Sequence, residues 1–260
     1  MNIVVCMKET PSTTAEKRFS PEMRLERRKE EAIINPFDEY TIEEGLRLQE
    51  KHAGSTVTIL CMGPATAAET VRKALAMGGD RGVLVSDPAL AGSDAIATAR
   101  VLAAALKKIG FDLAILSTAT ADAYGGVVPS AVAEFLDLPL LSYATKLDIE
   151  GNVATIERQA DVVGVNTVQA SLPALVSVTK AINEPRYPSM KGIMASKKKP
   201  LDTFSVADLG IAADEVGAAG SHEKVAGAEK VSTQRKGEIY VGNEGAADRV
   251  VAFLVENKVL

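Results

Sequence analysis

The sequence has no tryptophan, only two histidines and only two cysteines, and aromatic residues make up just 4% of it. Each scarcity removes a class of chemistry. His52 lies near the predicted end of a helix and His222 in an Ala- and Gly-rich stretch. Neither has a nucleophile or a second ligand at recognisable spacing, so no catalytic residue and no metal centre is expected. Cys6 and Cys61 both fall inside predicted buried strands. They read as reduced packing thiols, which sets the expected compartment as the cytoplasm. No apolar run approaches the ~20 residues of a membrane helix. The opening "MNIVVCMKE" is too short and wrongly flanked for a secretory signal and reads as a strand. There is no G-x-x-x-x-G-K-S/T loop, no G-x-G-x-x-G at a helix start and no internal repeat. A net charge of −5 argues against general nucleic-acid binding, so any basic patch is local.

What is present is apolar and orderly. Of the 260 residues, 47% are hydrophobic, enough for a full core. Short runs at Asn2–Met7, Thr56–Met62, Gly82–Val85 and Asp112–Ser117 are continuously apolar rather than alternating, as parallel strands covered on both faces require. Between them Val71, Ala74, Leu75 and Gly78 share one helical face, as do Ile96, Ala99, Leu102 and Leu106, and then Val128, Val132, Phe135 and Leu136. The order βαβαβαβα predicts an α/β fold: an open, mostly parallel, doubly wound sheet with flavodoxin-like layering. Residues 142–161 read as two further strands joined at Glu150-Gly151-Asn152, and "ALVSVTK" (174–180) as another central strand. The nucleotide-binding domain is expected over 1–200. Residues 201–260 form an extended stretch too weakly apolar to fold alone, followed by a terminal helix around Ala246–Glu256. That stretch is either a disordered tail or an arm lying on a partner.

In such sheets ligands sit beyond the carboxyl ends of the strands, where strand order reverses. Those ends carry Cys6-Met7-Lys8, Met62-Gly63-Pro64 and "STATADAYGGVV" (117–128). In the last, small hydroxylated residues lead to Asp122, and Tyr124-Gly125-Gly126 then opens a helix. Backbone N–H groups at such a start can hold a phosphate, although a plain strand-to-helix turn reads the same way. In "INPFDEYTIEEG", Asn35-Pro36 halts a strand, Asp38 starts a helix, and Phe37 is left either facing a planar ligand or packed as a core aromatic. Residues 183–200, "NEPRYPSMKGIMASKKKP", form a basic island in an acidic chain. It is either a solvated loop whose methionine folds inward or a stiff loop presenting that methionine to a partner.

Three segments carry a specific resemblance. "INPFDEYTIEEGLRLQEK", "MGPATAAETVRKALAMGGDRG" and "LPALVSVTKAINEPRYPSMKGIMASKKKP" resemble, in the same order and at similar spacing, the β subunit of electron-transfer flavoproteins, a likeness extending over residues 1–205. The resemblance implies a redox-carrier subunit without catalytic residues of its own. It implies a heterodimer with an α subunit, an FAD at their interface and an AMP bound within this chain. By position, the AMP contacts would be Cys6, Asn35, Pro36, Phe37, Asp38 and Met62, with Ser117, Thr118, Ala119, Thr120, Ala121, Asp122, Ala123, Tyr124, Gly125, Gly126, Val127 and Val128. Phe37 would lie near the flavin rings. Arg186, Tyr187, Met190 and Lys191 would belong to a recognition loop for acyl-CoA dehydrogenases and other flavin dehydrogenases, with a membrane quinone oxidoreductase as acceptor. Pro185 and Pro188 would stiffen that loop, and Lys191 and Lys197–Lys199 would steer association.

This sequence departs from the family at several points. Ala123 to Val127 stand where the family is richer in Asp and polar residues, shifting phosphate binding toward backbone groups. Gln159, Val162 and Val163 replace acidic or glycine residues, which implies an altered flavin potential. An Asp-Gly-Asp-Thr run, common where a second FAD replaces AMP in bifurcating members, is absent, while "AGSDAIAT" (91–98) resembles both branches. The alternatives are thus a bifurcating subunit with two FAD and a free-standing adenine-nucleotide sensor.

Overall fold

The structure is a computed structural model that describes residues 1–160, 164–229, 239, 241–242 and 244–260. Val162 and Val163, singled out above, lie outside the described residues. In chain order the first half contains β1 (Asn2–Met7), β2 (Glu9–Pro11), β3 (Ala32–Ile34), α1 (Asp38–Lys51), β4 (Thr56–Met62), α2 (Ala68–Met77), β5 (Arg81–Val85), α3 (Ala95–Ile109) and β6 (Leu113–Ser117). There follow α4 (Val128–Leu136), β7 (Leu140–Glu150), β8 (Val153–Ala160), β9 (Gly164–Ser171), β10 (Ala174–Val178), α5 (Met190–Ser196), β11 (Leu201–Phe204) and α6 (Ala246–Glu256).

Nine strands form one sheet in the order β11-β5-β4-β1-β6-β10-β7-β8-β9, parallel from β11 through β7 and antiparallel only at β7–β8–β9. The continuous hydrophobicity of the central strands has a direct cause. Ile3, Val5 and Met7 of β1 enter one core beneath α1 and α2, while Val4 and Cys6 enter a second beneath α3 and α4. β6 divides likewise, with Leu113 and Ile115 on one face and Ala114 and Leu116 on the other. Period-two side-chain alternation thus feeds two apolar layers at once. From β1 the chain winds outward through β4 to β5, then crosses back over α3 to place β6 on the other side of β1. The switch point lies between β1 and β6.

The expected α/β architecture is the observed one: the strand halted at Asn35-Pro36 is β3, and β2, β9 and β11 are three strands beyond those read from sequence. β2 and β3 pair as a small hairpin, β9 adds an outer strand, and β11 extends the opposite edge alongside β5. Compact packing divides the chain into Met1–Ala226 and Gly227–Leu260. Residues 201–226 therefore pack with the first unit, although their composition is poor in apolar groups. Their few apolar side chains are well used: Val206 and Val216 are buried in the α3–α4 core. Backbone groups do the rest, since Asp94 accepts from the N–H of His222 at 2.7 Å and Ser221 Oγ donates to Gly92 O at 2.9 Å. The second unit contains α6, on which Val250, Val251, Phe253 and Val255 are exposed.

Candidate functional site

A cavity of about 370 Å³ opens at the switch point. Its floor is the carboxyl ends of three strands: Cys6, Met7 and Lys8 after β1, Met62 at β4, and Leu116 and Ser117 at β6. One wall is the loop into α4, contributed by Thr118, Ala119, Thr120, Ala123, Gly125, Gly126, Val127 and Val128. The other is the start of α3, with Ser93, Asp94, Ala95 and Thr98, and Arg27 reaches in from the segment between β2 and β3. Two helix N-termini, those of α3 and α4, thus end at the cavity, the first capped by the lining Asp94 and the second without a side-chain cap. Gly126 has φ +67° and Tyr124 φ +52°, a left-handed lead-in that glycine adopts freely and tyrosine only under constraint.

Behind the wall, Asn35 is fully buried and works as a brace. Its Nδ2 donates to Ala119 O at 3.1 Å, and its Oδ1 accepts from the Ala121 N–H at 3.0 Å. Asn35 O also accepts from the Asp38 N–H at 2.8 Å, which closes the turn containing Pro36 and Phe37. Asp38, on the cavity wall, accepts from the Lys8 N–H at 2.7 Å and from Ser117 Oγ. Burial pushes its carboxyl up to about 7, against the opposing pull of those hydrogen bonds. The Asp122 side chain is also almost fully buried, and burial alone would raise it too. Lys8 at 2.9 Å and Arg27 at 2.5 Å outweigh that and hold it down at about 2. Two cations against one anion leave this edge of the cavity net positive. Burial, followed by the charge of Asp38, pushes the Cys6 thiol up, and burial carries Cys61 up to about 12, so both are inert packing groups. Phe37 stands outside the cavity. Its ring meets Tyr124 edge-on at 5.7 Å, and Lys180 Nζ lies 4.1 Å from its centre.

The basic island is a short helix. α5 begins at Met190, capped by Ser189, whose Oγ accepts from the Gly192 N–H at 3.0 Å. It lies so close to α2 that a Cβ at Gly192 would sit 2.4 Å from the Ala76 carbonyl oxygen. On its outer side Met190 is 76% exposed, Met194 70% and Ile193 43%, with Tyr187 just ahead at 95%. Positions 190, 193 and 194 form a single apolar stripe. Arg186 does something other than face outward. Its guanidinium grips Glu43 with two bonds, at 2.7 and 3.0 Å, and Glu50 at 2.6 Å, tying the loop to α1. At the other end Arg72 donates to Ser196 O and Lys199 O, and Lys199 Nζ caps α2 through Leu75 O and Gly78 O. Lys199 is thereby committed within the chain, whereas Lys191, Lys197 and Lys198 remain exposed.

With this geometry in view, the comparisons with known proteins are specific. Residues 23–209 match the electron transfer flavoprotein domain. The chain is 40% identical over 265 residues to the electron transfer flavoprotein subunit beta of Mycobacterium leprae, spanning 100% of this chain and 99% of that relative. The chain belongs to the electron transfer flavoprotein β-subunit family. The subunit beta of Mycobacterium tuberculosis is 39% identical over the same extent, and that of Bacillus subtilis is 41% identical over 211 residues, 80% of each chain. Membership carries a role in electron transfer and an association with flavin. Among the described residues no helix is long and apolar enough to cross a membrane.

For this electron transfer flavoprotein subunit, the structure brings most of the residues named from sequence to one cavity. Cys6, Asp38, Met62, Ser117–Thr120, Ala123 and Gly125–Val128 line it. Asn35 and Ala121 brace its loop wall and Asp122 pairs with the lining Lys8 and Arg27, while Pro36, Phe37 and Tyr124 do not line it. Sequence reading missed Arg27, Ser93, Asp94 and Thr98 as lining residues. For the α3 start a signal existed: Ser-Asp before an apolar helix is an N-cap pattern, and Asp94 does accept from the Ala97 N–H at 2.8 Å. For Arg27 there was none, because a hairpin excursion far from the other motifs delivers it.

Proposed function

We propose that this chain is the β half of a heterodimeric electron carrier. With an α subunit it encloses an FAD, and it holds AMP in the switch-point cavity. Working in the cytoplasm, the carrier accepts electrons from acyl-CoA and other flavin dehydrogenases and passes them to a membrane quinone oxidoreductase. The observation that carries the nucleotide assignment is the cavity itself. Two helix starts and a glycine-softened loop converge on a net positive edge made by Lys8, Arg27 and Asp122. That arrangement suits a phosphate monoester. Its volume, at the low end for small-molecule sites, suits a mononucleotide better than a dinucleotide.

The residues present fit both groups. Gly125, Gly126, Lys8 and Arg27 would hold the phosphate of AMP, and Cys6, Met62 and Leu102 would contact its base. Phe37 and Tyr124, which meet edge-on outside the cavity, would face the flavin, which supplies the redox chemistry when bound. The chain's own work is binding and exclusion: the Asn35 brace fixes the loop, and the apolar floor keeps water from the base. On the outer side, α5 offers Met190, Ile193 and Met194 to an apolar recess on each dehydrogenase, and Arg186 holds that stripe in place. Burying one such side chain contributes about 1.5–3 kcal/mol, on the order of ten- to a hundredfold in affinity. A carrier that must release its partner quickly is served by that amount. The exposed apolar side chains of α6 suit an arm, within residues 201–260, that lies against the α subunit.

Co-expression with an α-type subunit, followed by denaturation and quantification of released nucleotides, tests the reading. One FAD and one AMP per heterodimer are expected. Two FAD would instead support a bifurcating subunit, and AMP bound to a chain that forms no heterodimer would support a nucleotide sensor; either would overturn the proposal.

A further inference from the structure

Of the seven methionines in the chain, Met7 and Met77 are buried and Met1, Met23 and Met62 are partly covered. Only Met190 and Met194 are exposed, one helical turn apart on the same stripe of α5. The cysteine sulfurs are covered: Cys61 is fully buried and Cys6, on the cavity floor, nearly so, and burial suppresses both thiolate forms. The chain therefore places its accessible oxidisable sulfur almost entirely on the surface that carries its apolar docking groups.

We infer that Met190 and Met194 are a peroxide-sensitive modification site whose oxidation to sulfoxide releases the carrier from its dehydrogenase partners. The inference rests on the docking role given to α5 above. The substrate is a hydroperoxide, hydrogen peroxide in the simplest case. The thioether sulfur attacks one peroxide oxygen, the O–O bond breaks and an S–O bond forms. Sulfur gives up two electrons, and the peroxide is reduced to water with no net change in protons. The product is a polar, chiral sulfoxide in place of a flexible apolar side chain. Seating it in an apolar recess removes the burial that drives docking and leaves the S–O group without its water. A sulfoxide reductase with a dithiol reverses the change: the oxygen leaves as water and the dithiol becomes a disulfide. The helix itself tolerates the modification, because Met190 and Met194 point outward while Gly192 and Ser196 face the body of the protein. The clamps at Arg186 and Arg72 do not involve either sulfur.

The test uses the flavin-loaded heterodimer. It is treated with hydrogen peroxide, cleared with catalase and mapped by peptide mass spectrometry. It is then assayed for the apparent KM of a dehydrogenase for the carrier. A 16 Da gain is expected first at Met190 and Met194 and last at Met7 and Met77, with KM rising about tenfold or more and recovering after reductase and dithiol. The Met190→Leu, Met194→Leu protein is compared with itself before and after peroxide, and its KM should stay where it started. Oxidation of both methionines with no rise in KM would overturn the inference, as would a rise of equal size in the double variant. Met190→Ala separates this from the docking reading. If that change leaves KM untouched, α5 is not the docking surface and both readings fall; if it raises KM while oxidation does not, only the modification site is lost.

Discussion

Arg186→Ala is the sharpest perturbation of the proposed docking surface, because Arg186 ties the segment ahead of α5 to α1. Its bond to Glu50 is solvent-facing and contributes about 0–1 kcal/mol. The bidentate grip on Glu43 is different, since the Glu43 side chain is only 7% exposed. Charge-assisted bonds of this kind contribute about 1.5–3 kcal/mol, and the carboxylate left behind would keep only the backbone N–H of residue 186 at 3.2 Å. Arg186 itself is about a third exposed, so water recovers part of the loss. The expected cost is about 2–3 kcal/mol. With a urea slope on the order of 2 kcal/mol per M, the unfolding midpoint should fall by roughly 1 M. If the loop opens locally before the whole domain does, part of that loss appears instead as a higher KM for the dehydrogenase. Urea unfolding by circular dichroism and steady-state kinetics on the same preparation read both. A midpoint within about 0.2 M of the parent together with an unchanged KM would refute the clamp.

Three other outcomes follow from the cavity. Asn35→Ala strands the Ala121 N–H and leaves the Ala119 carbonyl with Ser117 Oγ, at 3.0 Å, as its remaining donor. It should cost about 1–3 kcal/mol and weaken retention of the proposed AMP on gel filtration, whereas unchanged retention would show that the loop holds its shape unaided. Asp122→Asn leaves Lys8 and Arg27 facing each other without their anion. Because the folded carboxyl titrates below its unfolded value, its stabilisation is present above about pH 4 and is lost as pH falls through about 2. The variant should therefore be about 1–2 kcal/mol weaker at pH 7, after allowing for solvent, and equal to the parent near pH 2, as acid-unfolding curves would report. Asp38 has the opposite sign: its folded value lies near 7, so its contribution is complete below about pH 4 and lost as pH rises through 7. Urea midpoints should decline from pH 5 to pH 8 in the parent more than in Asp38→Asn, and equal declines would exclude Asp38 as the source.

Local pattern alone carried much of this architecture. The central strands announced themselves because burial on both faces demands unbroken apolar runs, and the helices because one face must repeat near every 3.6 residues. The strand-end segments at Cys6, Met62 and 117–128 were legible for the same reason: parallel order fixes which ends gather. β9 and β11 were not legible, since edge strands bury little and their residues alternate or stay half-exposed. Residues 201–226 read as tail-like because their stability comes from two seated valines and backbone bonds to Asp94, which leave almost no mark on composition.

What sequence determined, then, was the layering and the strand ends at which a ligand can sit. Tertiary structure decided which charges do what. Arg186 and Lys199 looked like free cations for a partner, yet one is clamped to α1 and the other caps α2. Asp38 and Asp122 look alike in the chain, yet the folded protein drives their carboxyls in opposite directions. A charge acquires its role from neighbours that lie 30 to 143 residues away in the chain. Hydrophobic period is written locally, but ion pairing is not.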